Sequence, residues 1–318
     1  MATDHCAVAV EPWTNVEMVQ LASSAVALGN FDGVHLGHAG LISLLVKRSQ
    51  EFGVPPSVLI LWPHPRIVLA PSEPMRLLTT LGERAAFLRA LGVEGLYLWP
   101  FSEEASTVEP RRFIEDVVVR HLSPRLVVVG VNHRFGRGAS GTPRDLGLIG
   151  ERAGFEAVAV NPVTMDGDVI SSTRVRKALT GGRVEEARML LGRPYALSGT
   201  VLPGDRRGRL LGFPTANVHP DPKKVWPEFG VYAALARVAG GEELGAVVNF
   251  GPRPTVDGTI LAEVHLLDFH GDLYGESLEV SFLKRLRSQR RFPSLEDLAR
   301  QIGRDVEGAR HVLARDGA

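Results

Sequence analysis

The sequence predicts an α/β domain with a parallel sheet, followed by a small antiparallel β-barrel with a terminal helix. Three observations carry this expectation. The chain has 318 residues, more than a single core usually organises. Over about the first 190 residues, apolar runs of strand length alternate with stretches of helical periodicity, the pattern of a parallel sheet with helices on its faces. Near Arg193 the pattern changes to short apolar runs separated by Gly, Pro and Asp, which reads as a barrel.

In order, "AVALGNF" is a strand and Leu36 to Phe52 an amphipathic helix. "PSVLILWP" is a second strand. "LTTLGERAAFLRALG" is a helix, because Leu81, Arg84, Ala85, Leu88 and Leu91 recur at helical spacing and Gly92 can close it. "VEGLYLWPF" follows as a strand, "VEPRRFIEDVVVRHL" as a helix, "PRLVVVGV" as a buried strand, "PRDLGLIGERAG" as a helix and "FEAVAVNPV" as a strand. The second region offers "YALSGTVL", "GVYAALARVA", "LGAVVNFG", "LAEVHLLDF" and "LEVSFLKRL" as strands. A last helix starts at "SLED", where Ser294 and Asp297 have capping-box spacing, and runs to about Ala314.

Composition removes several function classes. Lys plus Arg and Asp plus Glu both number 36, so there is no basic excess of the kind a general nucleic-acid binder carries. Cys6 is the single cysteine, which precludes an intrachain disulfide and fits a reducing compartment. The N-terminus "MATDHCAVAVEPW" lacks a basic start followed by a long apolar core, and no apolar run is long enough for a bilayer. The expectation is a cytoplasmic protein with no membrane partner.

The first chemical signal is "GNFDGVHLGH" at 29–38, where a strand hands over to a helix. His35 and His38 have three readings. One caps the helix and the other packs; or both bind a metal, although their spacing is one short of the helical metal pair and no Cys or carboxylate cluster accompanies them. In the third, glycines 29, 33 and 37 let the backbone approach a phosphate at a helix N-terminus, and the imidazoles bond its oxygens as charge builds during nucleotidyl transfer. Later stretches extend this third reading: "PHP" at 63–65, "GVNHRFGRGASG" at 130–141 and "DGDVISSTRVRKAL" at 166–179. The last places the hydroxyls of Ser171, Ser172 and Thr173 at a helix start with Arg174 and Arg176 behind them, either an ordinary cap with solvated arginines or an anion site. "GRGASG" spells a dinucleotide fingerprint but belongs to a late strand and is set off from its end by "NHRFG".

The second signal is "GDRRGRLLGFPTANV" at 204–218, Gly-rich and basic, without the Walker pattern or protein-kinase motifs. Read blandly it is an exposed turn. Yet Thr215 and Asn217, two apart on an extended segment, share one face and supply hard oxygen ligands suited to Mg²⁺ carried on phosphates. Glu263 and His265 likewise share a face in "LAEVHLL".

"GNFDGVHLGH", with the stretches that follow it in order, resembles the nucleotide-binding signature of the bifunctional bacterial riboflavin kinase/FAD synthetase family. "GFPTAN", "GVYAA", "NFGPRPT", "EVHLLDFHGDLYG" and the "SLEDLARQIGRDVEGAR" helix resemble its riboflavin kinase half. The resemblance spans nearly the whole chain. It implies a Rossmann-like nucleotidyltransferase (FMN adenylyltransferase) domain at 1–192 and a riboflavin kinase barrel at 193–318. It implies ATP as co-substrate, Mg²⁺ as cofactor, and riboflavin, FMN and FAD as substrates or products. In the first domain, Gly29, Phe31, Asp32, Gly33, His35 and His38 would bind nucleotide, with His35 and His38 catalytic. His64 would lie near the nucleotide, Asn132 near its ribose or phosphates, and Ser172, Thr173 and Arg174 or Arg176 by the leaving phosphates. In the second, Gly204, Arg209, Gly212, Thr215 and Asn217 would bind nucleotide, Thr215 and Asn217 would hold the metal, and Glu263 would be the base.

The sequence departs from the family at Ile60 and Leu61, where a hydroxyl and an aromatic are usual, at His133 for an aromatic, at Pro203 for His and at Phe250 for Ile. The first two departures bear on adenylyl transfer and nucleotide preference; the others look like packing changes near the kinase loop. Two other readings stay open at this level: a kinase whose first domain is inactive or repurposed, and a flavin-binding protein without turnover. Oligomeric state is not legible.

Overall fold

The computed structural model describes residues 12–203, 208, 211–238, 241–252 and 260–316. The chain forms two compact units, Met1–Ser172 and Thr173–Ala318.

The first unit runs β1 (Thr14–Asn15), β2 (Ser24–Leu28), α1 (Leu36–Phe52), β3 (Pro56–Trp62), α2 (Pro65–Leu69), α3 (Leu81–Ala90), β4 (Gly95–Pro100), α4 (Pro110–Arg112), α5 (Arg120–Leu122), β5 (Pro124–Gly130), α6 (Pro143–Ala153) and β6 (Glu156–Val160). A short hairpin of β7 (Thr164–Met165) and β8 (Asp168–Val169) follows. The six-stranded sheet has the order β1-β4-β3-β2-β5-β6 with every pairing parallel. β2 is central and buried along its whole length, as a strand covered on both faces must be. Alternation sends Ala25 and Ala27 into one core with Ile42, Leu45 and Leu88, and Val26 and Leu28 into the other with Phe113, Ile114 and Val118. The helix expected at "VEPRRFIEDVVVRHL" forms with a difference: Phe113–Val119 between α4 and α5 is π-helical, and this wider winding keeps Phe113, Ile114, Val117 and Val118 buried.

The order of the strands fixes where a ligand can bind. The chain moves outward from β2 to β3 and β4, then returns to place β5 on the other side of β2. Crevices at such reversals, beyond the C-terminal strand ends, are where parallel sheets bind ligands. The loops after β2, β3 and β5, which carry "GNFDGVHLGH", "PHP" and "NHRFG", all emerge at that end.

The second unit takes in α7 (Ser172–Thr180) from Thr173 onward. It continues with α8 (Val184–Leu191), β9 (Tyr195–Leu202), β10 (Ala216–Val218), β11 (Gly230–Val238), β12 (Glu243–Pro252), β13 (Ile260–Leu266), β14 (Ser277–Arg287) and α9 (Leu295–Asp316). Its strands close into an antiparallel barrel, β10-β13-β12-β11-β14-β9. The sequence marks five of the six; β10 is only three residues long, too short for a periodic signal. Ser294 caps α9, its Oγ accepting from the Asp297 amide at 3.1 Å. Leu286 of β14 and Val306, Val312 and Leu313 of α9 pack on Val231, Ala233, Val247 and Ala309. Arg287 grips the Asp305 carboxylate through Nε at 3.0 Å and Nη2 at 2.7 Å, tying the helix to the barrel.

Candidate active sites

In the first unit, His35 ends the turn after β2 and caps α1: its Nδ1 accepts the His38 amide at 3.2 Å. A ring nitrogen that accepts carries no proton, so neutral His35 bears its proton on Nε2. The His38 ring stacks on His35 with centroids 3.7 Å apart and an interplanar angle of 14°. Burial, then the neighbouring His35 and Arg84, holds the His38 pKa well below 6.5. Gly37 allows this stack, since a Cβ there would lie 3.1 Å from two His35 ring atoms.

The turn itself is strained. Phe31 and Val34 have φ of 51° and 40°, beside Gly33 at 87°. A β-branched residue in that region costs about 1–3 kcal/mol, so surrounding contacts must fix it. Asp32, 3% exposed, supplies many of them. Its carboxylate accepts the amides of Leu78 and Thr79, the Thr79 hydroxyl, and Arg84 Nη2 at 3.0 Å. The Ser172 hydroxyl donates to the Asp32 carbonyl at 2.8 Å.

The other residues expected in this unit fall as follows. His64 caps α2, its Nδ1 accepting the Arg66 amide at 3.2 Å. Asn132 is exposed in the turn after β5, closed by the His133 amide donating to the Gly130 carbonyl. The departing His133 sits beside Phe135 with centroids 6.0 Å apart, and burial with Arg134 lowers its pKa to about 4. "GRGASG" folds into a tight turn closed by Phe135 and Gly141 before the Thr142-capped α6, and not into a strand-to-helix fingerprint. Ile60 is fully buried in the core.

In the second unit, Thr173, Arg174 and Arg176 lie on α7. Arg174 Nε meets the Glu186 carboxylate of α8 at 3.4 Å; the hydrogen bond from Arg183, and then that from Arg174, lowers the Glu186 pKa. The barrel builds its site by register. Asn217 of β10 faces Glu263 of β13, which faces Asn249 of β12. Asn249 Nδ2 donates to Glu263 Oε2 at 2.8 Å, and Gln289 Nε2 donates to Asn249 Oδ1 at 2.9 Å. Thr215 precedes β10, exposed, at the lip of a pocket with Pro214, Val264, Phe269 and Tyr274. Gly212 has φ of 83° in the turn leading there. Gly204 and Arg209 lie outside the described residues. Phe250 fills the barrel core against Trp226, Phe229 and Phe282. No group of three or more His, Cys, Asp or Glu able to hold a metal occurs among the described residues.

Arg84, Thr79, Asn249 and Gln289 are absent from the motif-based set. Arg84 did leave a signal, a charge on the apolar stripe of its helix. Asn249 lies within a quoted motif but gives no sign of its partner. Thr79 and Gln289 leave none, because their contacts are made across 46 and 40 residues of chain.

The FAD synthetase family model matches residues 18–174 and the riboflavin kinase model residues 191–313. A bifunctional riboflavin kinase/FMN adenylyltransferase of Listeria monocytogenes is 35% identical over 98% of this chain and 97% of its own. That of Escherichia coli is 38% identical over 94% and 96%, and that of Pseudomonas fluorescens 39% over 90% and 92%. A solved structure described as a macrolide-efflux protein from Streptococcus pneumoniae superposes with a TM-score of 0.86 at 32% identity, covering 93% of this chain and 97% of its own. Among the described residues of this chain, no helix is long and apolar enough to cross a membrane. With both family models matched in order and relatives this similar over almost the full length, the chain belongs to the bifunctional riboflavin kinase/FMN adenylyltransferase family.

Proposed function

We propose that this chain makes FAD from riboflavin in two transfers, one in each domain. Residues 193–318 phosphorylate riboflavin with ATP to give FMN and ADP. Residues 1–192 transfer AMP from a second ATP to FMN, giving FAD and pyrophosphate. Separate family matches over 18–174 and 191–313 support this division.

In the kinase step Glu263 takes the proton of the riboflavin 5′-hydroxyl as its oxygen attacks the γ-phosphorus, and ADP departs. The observation that carries this reading is the Asn217–Glu263–Asn249 row, which places a carboxylate in register with an asparagine on the strand that follows Thr215. The Thr215 hydroxyl and the Asn217 amide oxygen fit Mg²⁺, a hard cation that binds mainly through phosphates and needs few protein ligands. Bound there, it would neutralise phosphate charge. The pocket at Thr215 is the place for ATP, with Gly212 in the turn leading to it.

In the adenylyl step an FMN phosphate oxygen attacks the α-phosphorus of ATP and pyrophosphate leaves. His35, protonated on Nε2, donates to the oxygens that gain charge, and the stacked His38 completes the cradle. Gly29, Phe31, Asp32 and Gly33 shape that cradle, and His64 and Asn132 flank the nucleotide. The Ser172 hydroxyl, bonded to the Asp32 carbonyl, stands at the end of this cradle for the leaving phosphates.

Incubation of the purified protein with riboflavin, ATP and Mg²⁺, followed by chromatography of the flavins, tests the whole scheme. FMN followed by FAD is expected. FMN alone would leave only the kinase, and no conversion would refute both steps.

A further inference from the structure

We propose that Arg84 is a positioning residue for adenylyl transfer, clamping the strained turn that presents His35 and His38. The inference rests on the reading of those two histidines as the adenylyl site. None of the nucleotide-binding motifs "GNFDGVHLGH", "PHP", "GVNHRFGRGASG" and "DGDVISSTRVRKAL" includes Arg84.

The guanidinium is fully buried, and its partner Asp32 is 3% exposed. A buried ion pair is retained at a cost in desolvation and needs its remaining hydrogen-bonding groups satisfied. Arg84 meets that need with contacts aimed at one turn. Nη1 donates to the Asn30 carbonyl at 2.8 Å, on the near side of the strained residues. Nη2 donates to the Asp32 carboxylate at 3.0 Å, inside the turn, and to the Thr79 carbonyl at 3.3 Å. Nε reaches the Thr79 hydroxyl at 3.3 Å, and that hydroxyl accepts the Gly33 amide at 3.1 Å. The plane of the guanidinium also lies near the Trp62 ring, 5.8 Å from its centroid. One rigid fork therefore fixes Asn30 and Asp32 directly and Gly33 through Thr79. These residues precede the histidine pair by a few positions, and no local preference of Phe31 or Val34 would hold them in place. Lysine could keep the charge but not the several directed bonds.

The test compares full-length Arg84→Met, Arg84→Lys, Thr79→Val and His38→Ala with the parent chain. Each preparation is assayed for FMN-to-FAD turnover, with kcat and KM for both substrates, and for riboflavin-to-FMN turnover. Misplaced reacting groups lower kcat by about 100-fold for errors near 1 Å. Arg84→Met is expected to lose kcat for FAD formation by that order while both KM values and the kinase rate change less than about twofold. Arg84→Lys should recover only part of the loss. Thr79→Val, which removes one hydroxyl and keeps the shape, should lower the same kcat by about 5-fold and decides the matter if Arg84→Met does not fold. Parent-like kcat in Arg84→Met or, failing that variant, in Thr79→Val would overturn the proposal, as would a change confined to KM. If His38→Ala also keeps FAD formation, the reading of the histidine site fails instead, and a low Arg84→Met rate would then be structural.

Discussion

The two sites are built by opposite means. In the parallel-sheet unit, the proposed chemistry sits on a turn bent into unfavourable backbone conformations and held by the buried Arg84 of α3 and by amide and hydroxyl groups of the loop before it. In the barrel, Asn217, Glu263 and Asn249 fall into line because three strands are in register. Strand pairing alone aligns the second site, since the pleat fixes which side chains share a face. The first site needs contacts from distant chain, because nothing within "GNFDGVHLGH" favours positive φ at Val34. A turn so dependent on its surroundings is open to disruption from outside its motif, whereas a strand row is exposed mainly to changes within it.

The largest effect should come from separating the two chemistries. His35→Ala with His38→Ala is expected to lower FAD formation by about 1,000-fold or more, through loss of preorganised donors, and to leave riboflavin phosphorylation intact. Equal loss of both activities would break the division into two independent sites. Glu263→Gln keeps the shape of the row and its bond to Asn249. It should cost the kinase about 100-fold while FAD forms normally from supplied FMN; an unchanged kinase rate would remove Glu263 as base.

A smaller effect distinguishes the units by pH. His38, with its pKa pushed well below 6.5 by burial, and His133, lowered to about 4, are both neutral in the folded first unit near pH 7. The unfolded chain binds their protons below about pH 6.5. Stability of this unit is therefore full above that pH and is lost progressively as pH falls from 6.5 towards 4. Protection factors of the amides in β2 and β5, which correct for the intrinsic slowing of exchange in acid, should fall across that window, and His133→Phe should reduce the slope; protection factors that stay constant from pH 6.5 to 4 would contradict it. The smallest effect concerns the helix that carries Arg84. Thr80 and Glu83 form a reciprocal capping box at its start, so Thr80→Ala should cost about 1 kcal/mol in denaturant melts of the first unit.

The sequence by itself determined the alternation of strands and helices, the change to short strands, and most of the side chains to which we assign chemistry. Each is a local or periodic property: apolar spacing of two or of three to four residues, glycines beside histidines, a hydroxyl and an amide two apart. The tertiary structure decided what holds those side chains. Only folding brings Arg84 and Thr79 against Asp32, about fifty residues earlier, only strand register brings Asn249 to Glu263, and only the chain's path beyond β14 brings Gln289 to Asn249. It also decided the π-helical segment and the sixth barrel strand, which are too short or too dependent on packing to leave a period. Local pattern records which face a residue occupies; its partner across the chain is fixed by the closing of the core, where burial makes an unpaired polar group costly and so selects one arrangement.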